Sequence, residues 1–285
     1  MNQSVAPELF RQDLTTVQMQ LAFAAVAEHR TFIRKQKVTY PYHVGRCLQF
    51  PDDPEGMTNV YIQSCSGGLF EADHWCSEIA VEAGAAVHLT TSASTVVHRA
   101  VEHAAVQVQR FVVEEGAYLE YLPMSTILFP EAQLHNVIEV EIAQGAVVCL
   151  FDSFQASTLK DNTDAFTEYR SHIQVRNAER TLIQEKFCIA GEDLSQPMWG
   201  FNRDYQCFGN FYMLGEIPHA AQFIAAVNQL SCEGAYLGVN YLAHRDALVI
   251  RLMADNAIHL HQLKFKVWSA WRAHYFNKPL LRARK

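Results

Sequence analysis

The chain has 285 residues, of which 49% are hydrophobic and 19% charged, a balance that excludes a disordered polymer and allows one large domain or two ordinary ones. Its net charge of −7 is unevenly spread: seven basic residues and no acid follow Asp255. An acidic body with a basic end argues against nucleic acid as the main partner and suits the handling of cations or docking to an acidic protein surface.

The stretch from Leu14 to Phe32 is mixed, and periodicity does not decide whether Leu21 to Ala27 is a helix or a strand. From Val38 to Ile189 the text is β-like, with turns at Pro51-Asp52-Asp53-Pro54-Glu55-Gly56 and Ser66-Gly67-Gly68. Within it one block returns three times at intervals of about thirty residues: Val81-Glu82-Ala83-Gly84-Ala85, Val113-Glu114-Glu115-Gly116-Ala117 and Glu141-Ile142-Ala143-Gln144-Gly145-Ala146. Each block closes one alternating apolar/polar run and opens another. A Gly beside Ala at that place predicts a strand, tight turn, strand unit, and its repetition predicts stacked β-layers. Ser171–Val175 and Thr181–Phe187 read as a hairpin around Asn177-Ala178-Glu179.

Gly191 to Gly200 is a polar connection and the expected boundary, dividing a β-rich repeat body (1–190) from a C-terminal α+β portion packed on it (191–285). Beyond the boundary, Asn210–Gly215, Tyr236–Tyr241 and Ala247–Met253 are predicted strands, and Ala220–Leu230 is a predicted helix. Asn256–Phe276 is predicted as a long helix with Ile258, Leu263, Val267 and Trp271 on one side and basic residues elsewhere, stopped by Asn277-Lys278-Pro279. The fold class is therefore mainly β: a stacked two-layer, solenoid-like body and a smaller α+β portion ending in a long helix.

The chemistry-bearing residues are few. Thr90-Thr91-Ser92-Ala93-Ser94-Thr95 is a hydroxyl-rich run that either ends a strand or lines a polar groove. Glu120 stands inside the apolar strand Leu119–Leu122, and an ionised carboxylate there needs a partner, so it is either a structural tie or a site residue. Asp152 and Glu185 pose the same question. His74 and Cys76 share a strand face and could contact nickel or zinc, but two ligands are not a site. Seven scattered cysteines without a C-x-x-C pair suit reduced thiols packed as small hydrophobes. Among catalytic signatures, G-x-S-x-G, H-E-x-x-H and the His-x-His set of a cupin are all missing. No run approaches eighteen consecutive apolar residues and the start lacks the pattern of a secretory signal, so a cytoplasmic protein without a membrane partner is expected.

Gly67-Gly68-Leu69 with Asp73, Leu89-Thr90-Thr91-Ser92-Ala93-Ser94-Thr95, Gly116-Ala117-Tyr118-Leu119-Glu120-Tyr121-Leu122-Pro123 with Ile127-Leu128-Phe129, and Gly145-Ala146 follow one another as in the urease accessory protein UreD (UreH) family, which the chain resembles from Tyr61 to Glu185 and more weakly to Trp268, Trp271 and Lys278-Pro279. The resemblance implies a non-catalytic scaffold for nickel delivery that binds UreF, through it the GTPase UreG, and apo-urease. It implies a polar nickel path with Asp73, Thr91, Ser94, Thr95 and Glu120 as matched positions and Asp152 and Glu185 as looser ones, nickel held only transiently, and no tightly bound cofactor. The C-terminal helix, with Lys264, Trp268, Trp271 and Arg272, would face UreF. Three departures stand out: Cys65-Ser66-Gly67-Gly68 stands where the family commonly has Pro-Pro-Gly-Gly, Ala72 replaces its Gly before the motif Asp, and Leu280-Leu281-Arg282-Ala283-Arg284-Lys285 replaces its Arg-Ile-Trp near the terminus. The other readings are a metal-dependent β-fold enzyme using His74 and Cys76, and a β-solenoid adaptor without a metal role.

Overall fold

The computed structural model describes residues 16–26, 30–157, 165–195, 205–242, 244 and 246–281. The described residues open with the antiparallel pair β1 (Met19–Ala25) and β2 (Thr31–Val38), so Leu21 to Ala25 is strand, and continue through β3 (Tyr42–Val44) and β4 (Thr58–Ser64). Three arches follow: β5 (His74–Val81) into β6 (Ala86–Thr91), then after the short β7 (Thr95–Val97), β8 (Ala105–Val113) into β9 (Tyr118–Tyr121), then after β10 (Thr126–Leu128), β11 (Gln133–Ile142) into β12 (Val147–Ala156). The hairpin β13 (Glu168–Arg176) and β14 (Thr181–Ile189) leads to the short helix α1 (Gly191–Ser195). The remainder is β15 (Cys207–Leu214), α2 (Ala220–Asn228), β16 (Ala235–Leu242), β17 (Ala247–Ala254) and α3 (Ala257–Phe276).

The recurrent glycines sit at the tops of the arches, with φ of 71° at Gly84, 64° at Gly116 and 69° at Gly145. Each turn carries the chain from one sheet to the other, so its flanking strands do not pair with one another. They pair in parallel with the equivalent strands of the next arch: Val81 lies beside Val113 and Val113 beside Ile142, while Ala86 lies beside Tyr118 and Tyr118 beside Val147. The turns stack too, the Gly84 N–H donating to the Glu115 carbonyl at 3.1 Å and the Gly116 N–H to that of Gln144 at 3.4 Å. Repetition at this period therefore yields solenoid-like coils rather than hairpins.

The first sheet runs β14-β13-β11-β8-β5-β1-β2; the second has the path β16-β17-β15-β12-β9-β6-β4-β3, with β7 and β10 attached beside it. Strands after residue 190 add directly to the second sheet, because β15 pairs antiparallel with β12. Residues 196–204, within and after the polar connection, lie outside the described residues. One hydrocarbon layer fills the space between the sheets, with Leu119, Tyr121, Val148, Leu150 and Phe154 from the second sheet meeting Phe111, Ile138 and Ile173 from the first. A second layer lies on the other face of the second sheet, where Tyr118, Cys149 and Phe151 meet Leu260, Leu263, Val267 and Trp271 of α3. The second sheet is thus covered on both faces, and β12 is buried from Val147 to Phe154 without alternation.

Helix α3 starts and stops where its sequence dictates. Asn256 caps it by accepting the His259 N–H at 2.9 Å, and Asn277 ends it in the left-handed conformation with φ 55°. Its sheet-facing stripe differs from the expected one: Ile258 is 67% exposed, whereas Lys264 and Arg272, expected outside, are buried.

Candidate functional site

The candidate path residues lie in separate places: Glu120 and Asp152 on opposite faces of the second sheet, Thr91, Ser94 and Thr95 at the end of β6 and the start of β7, Asp73 in the turn before β5, and Glu185 on β14 of the first sheet. Glu120 faces α3. Its Oε2 is 2.7 Å from Arg272 Nη2, 2.9 Å from His88 Nδ1 and 3.0 Å from Trp268 Nε1, and its Oε1 accepts the Tyr118 hydroxyl at 2.8 Å. Arg272 also reaches Asp53 at 2.9 Å. Burial pushes the Glu120 carboxyl up, but Arg272 and His88 outweigh it and hold the group well below the usual carboxylate range. A carboxylate so fully engaged on both oxygens ties the sheet to the helix.

The four helix residues expected on a partner-facing surface point inward instead. Trp271 and Arg272 are fully buried, Trp268 is nearly so, and Lys264 donates to the carbonyls of Leu122 at 3.0 Å and Pro123 at 2.7 Å above the Phe151 ring. Burial pulls the Lys264 ammonium down to about 7. These side chains bolt α3 to β9. The clue lay in the spacing: Lys264, Trp268 and Arg272 recur every four residues, a single stripe on a helix, and the acid isolated in β9 needed a cation.

Asp73 stabilises the turn before β5, its Oδ2 accepting the Phe70 N–H at 2.8 Å. The preceding Ala72 has φ 61°, which explains why a glycine suits that place. His74 and Cys76 both lie on the outer face of the first sheet, where Cys76 packs with Val108 and Val137 and accepts from Arg110 Nη1 at 3.5 Å. Among the described residues no group of three His, Cys, Asp or Glu is placed to hold a metal ion.

Asp152 is different. It projects from β12 into the layer between the sheets, where Ser171 Oγ donates at 3.0 Å, Asn136 Nδ2 at 3.3 Å and the Tyr169 hydroxyl at 3.3 Å. Among the described residues no Lys, Arg or His pairs with it, and Asn136 Oδ1 beside it has no hydrogen-bond partner. Burial pushes its carboxyl up to about 6 despite the three donors. Sequence reasoning missed Asn136, Tyr169 and Ser171, whose polar character within β-runs was the available signal.

A cavity of about 130 Å3, room for several waters, is lined by Thr91, Ser94, Thr95, Ser77, Gln107 and Tyr121 among others. The hydroxyl run thus lines a polar space, although Thr91 Oγ1 also accepts the Met124 N–H at 2.9 Å. Tyr121 lines this cavity, and burial, with smaller contributions from Tyr42 and Asp152, holds its hydroxyl above the ordinary range. Glu185 of β14 makes a bidentate pair with Arg251, which also donates to the Tyr212 hydroxyl at 3.1 Å.

The family model described as "UreD urease accessory protein" matches residues 16–285. The chain is 32% identical over 255 residues to Urease accessory protein UreD 1 of Pseudomonas syringae pv. tomato, covering 88% of this chain and 90% of that protein. It is 33% identical to the like-named protein of Pseudomonas syringae pv. syringae with the same coverage, and 31% identical to UreD 1 of a Bradyrhizobium species over 80% of each chain. The chain belongs to the UreD family. Among the described residues no helix is long and apolar enough to cross a membrane.

Proposed function

We propose that this chain is the cytoplasmic scaffold on which nickel is inserted into apo-urease, binding UreF directly, UreG through UreF, and the apo-enzyme. It has no catalytic role and no resident cofactor in this reading, and nickel is its cargo. Asp152 is the observation that carries the proposal: a buried carboxylate without a cationic partner is costly unless a cation visits it. Its neighbours supply only oxygen donors in reach, Asn136 Oδ1 among them, and oxygen ligands hold a divalent ion loosely enough to release it. Glu120, with a permanent guanidinium against it, serves the fold, and the path runs through Asp152, with Glu185 and the Thr91, Ser94 and Thr95 cavity at its two ends.

The test is genetic and chemical together. Deleting the gene should abolish urease activity in the native cells while leaving urease protein in place, and returning it should restore both activity and nickel content. Unchanged urease activity after deletion would overturn the proposal.

A further inference from the structure

The two sheets end on β14 and β16, and there the layer between them meets a groove of about 480 Å3 lined by Leu182, Glu185, Gly238, Asn240 and Arg251 among others. Arg251 of β17 reaches across this mouth to Glu185 of β14. Its Nη1 donates to Oε1 at 2.6 Å and its Nη2 to Oε2, and Nη1 also donates to the Tyr212 hydroxyl at 3.1 Å. The pair thus ties one sheet to the other. Yet the Arg251 side chain is 48% exposed and that of Glu185 23%. An ion pair so open to water adds little to stability and parts readily.

Register places Arg251 near the outer end of a polar row. Asp152 of β12 lies opposite Asn210 of β15, Asn210 opposite Arg251, and Arg251 opposite Gly238 of β16. All four share the inner face of the second sheet, because they keep step along their strands with Phe154, Phe208, Val249 and Leu242 of the inter-sheet layer. At about 4.8 Å per strand, the row spans about 14 Å from Asp152 to the sheet edge. A Cβ added at Gly238 meets nothing within 4 Å, so the row ends in open space. At its inner end, Asn136 Oδ1 is buried beside Asp152 without a hydrogen-bond partner. Burial first, and the Glu185 charge in addition, raises the Asp152 carboxyl, so the acid at the mouth is felt at the inner end.

We infer that Arg251 is the latch of this layer: its guanidinium occupies Glu185 at the mouth, a divalent cation displaces it there, and the ion then follows the row to Asp152 while Arg251 turns toward water. Charge explains why a latch is needed. Glu185 and ionised Asp152 together match the charge of a divalent ion and would retain it. With the guanidinium present they carry one negative charge in excess, enough to attract the ion and too little to trap it. The inference rests on the proposed passage of nickel through the chain, and it names the residue that keeps the passage from becoming a store.

Nickel chloride titrated into the purified full chain provides the test, with Arg251→Gln and Glu185→Gln as a pair. Both side chains meet water, so both variants should fold. Arg251→Gln should bind nickel at least about tenfold more tightly than the wild type, Glu185→Gln should bind it more weakly, and Arg251→Lys, which keeps the charge, should stay near the wild type. Adding Asp152→Asn to Arg251→Gln should abolish the gain. A merely structural pair would shift melting temperature in both variants without moving nickel affinity in opposite directions. Unchanged affinity in Arg251→Gln, or a gain that survives Asp152→Asn, would overturn the latch. Loss of urease on gene deletion with unchanged affinity in Arg251→Gln would sink the latch alone, whereas a silent deletion would sink the scaffold reading and the latch with it.

Discussion

Arg272 and Glu120, from α3 and β9, meet with Nη2 and Oε2 2.7 Å apart and both side chains removed from water. Removing one partner leaves the other charge buried without compensation, which is far costlier than losing the pair. Glu120→Gln should therefore destabilise the chain by about 3–5 kcal/mol in chemical denaturation. Combining Glu120→Leu with Arg272→Met should cost clearly less than the two single changes added together. Because the Glu120 carboxyl is held below its unfolded value, its contribution is complete above the ordinary glutamate range and fades as the pH falls through the folded value.

Asp152 has the opposite sign. Its folded carboxyl is raised to about 6, so between the unfolded aspartate value and that point the native state keeps a proton that the unfolded chain releases. Its contribution to stability thus falls as the pH climbs through this window. Asp152→Asn should stabilise the isolated chain at pH 7.5 by on the order of 1–3 kcal/mol, and the gain should vanish as the pH approaches 4. Denaturation curves at the two pH values check it; an equal gain at both would contradict the assignment.

The turns make a graded prediction. Ala72 has φ 61°, and Ala72→Gly should stabilise by about 1 kcal/mol. Gly116 has φ 64° with nothing near its missing Cβ, so Gly116→Ala should cost about 1 kcal/mol. Gly215 has φ 102° and a Cβ there would lie 2.3 Å from the Ala146 carbonyl oxygen, so Gly215→Ala should cost more than about 3 kcal/mol. Melting temperatures of the three variants rank them.

Much of this architecture is legible in the sequence. The Gly-Ala blocks announce the coils, and the Asn256 and Asn277 caps bound α3 as expected. That the blocks arch between sheets is not legible, because a positive φ permits both a hairpin and an arch and only the parallel partner strands, about thirty residues away, decide. The site is harder still. Glu120 and Asp152 look alike as single acids in apolar strands, and what separates them is which face of one sheet each occupies. Arg272 lies on the helix-covered face, 152 residues from Glu120, and no local pattern ties the two. The basic residues of α3 read as a solvated face because charge usually seeks water, whereas two of them are drawn inward by an acid and two carbonyls.

Urease purified from cells whose only copy of this chain carries Asp152→Asn should contain less than about a tenth of the normal nickel, although the variant chain is folded and joins its assembly. Metal analysis of that enzyme, set beside enzyme matured by the wild-type chain, tests the path most directly. Full nickel occupancy in the variant-matured urease would contradict it.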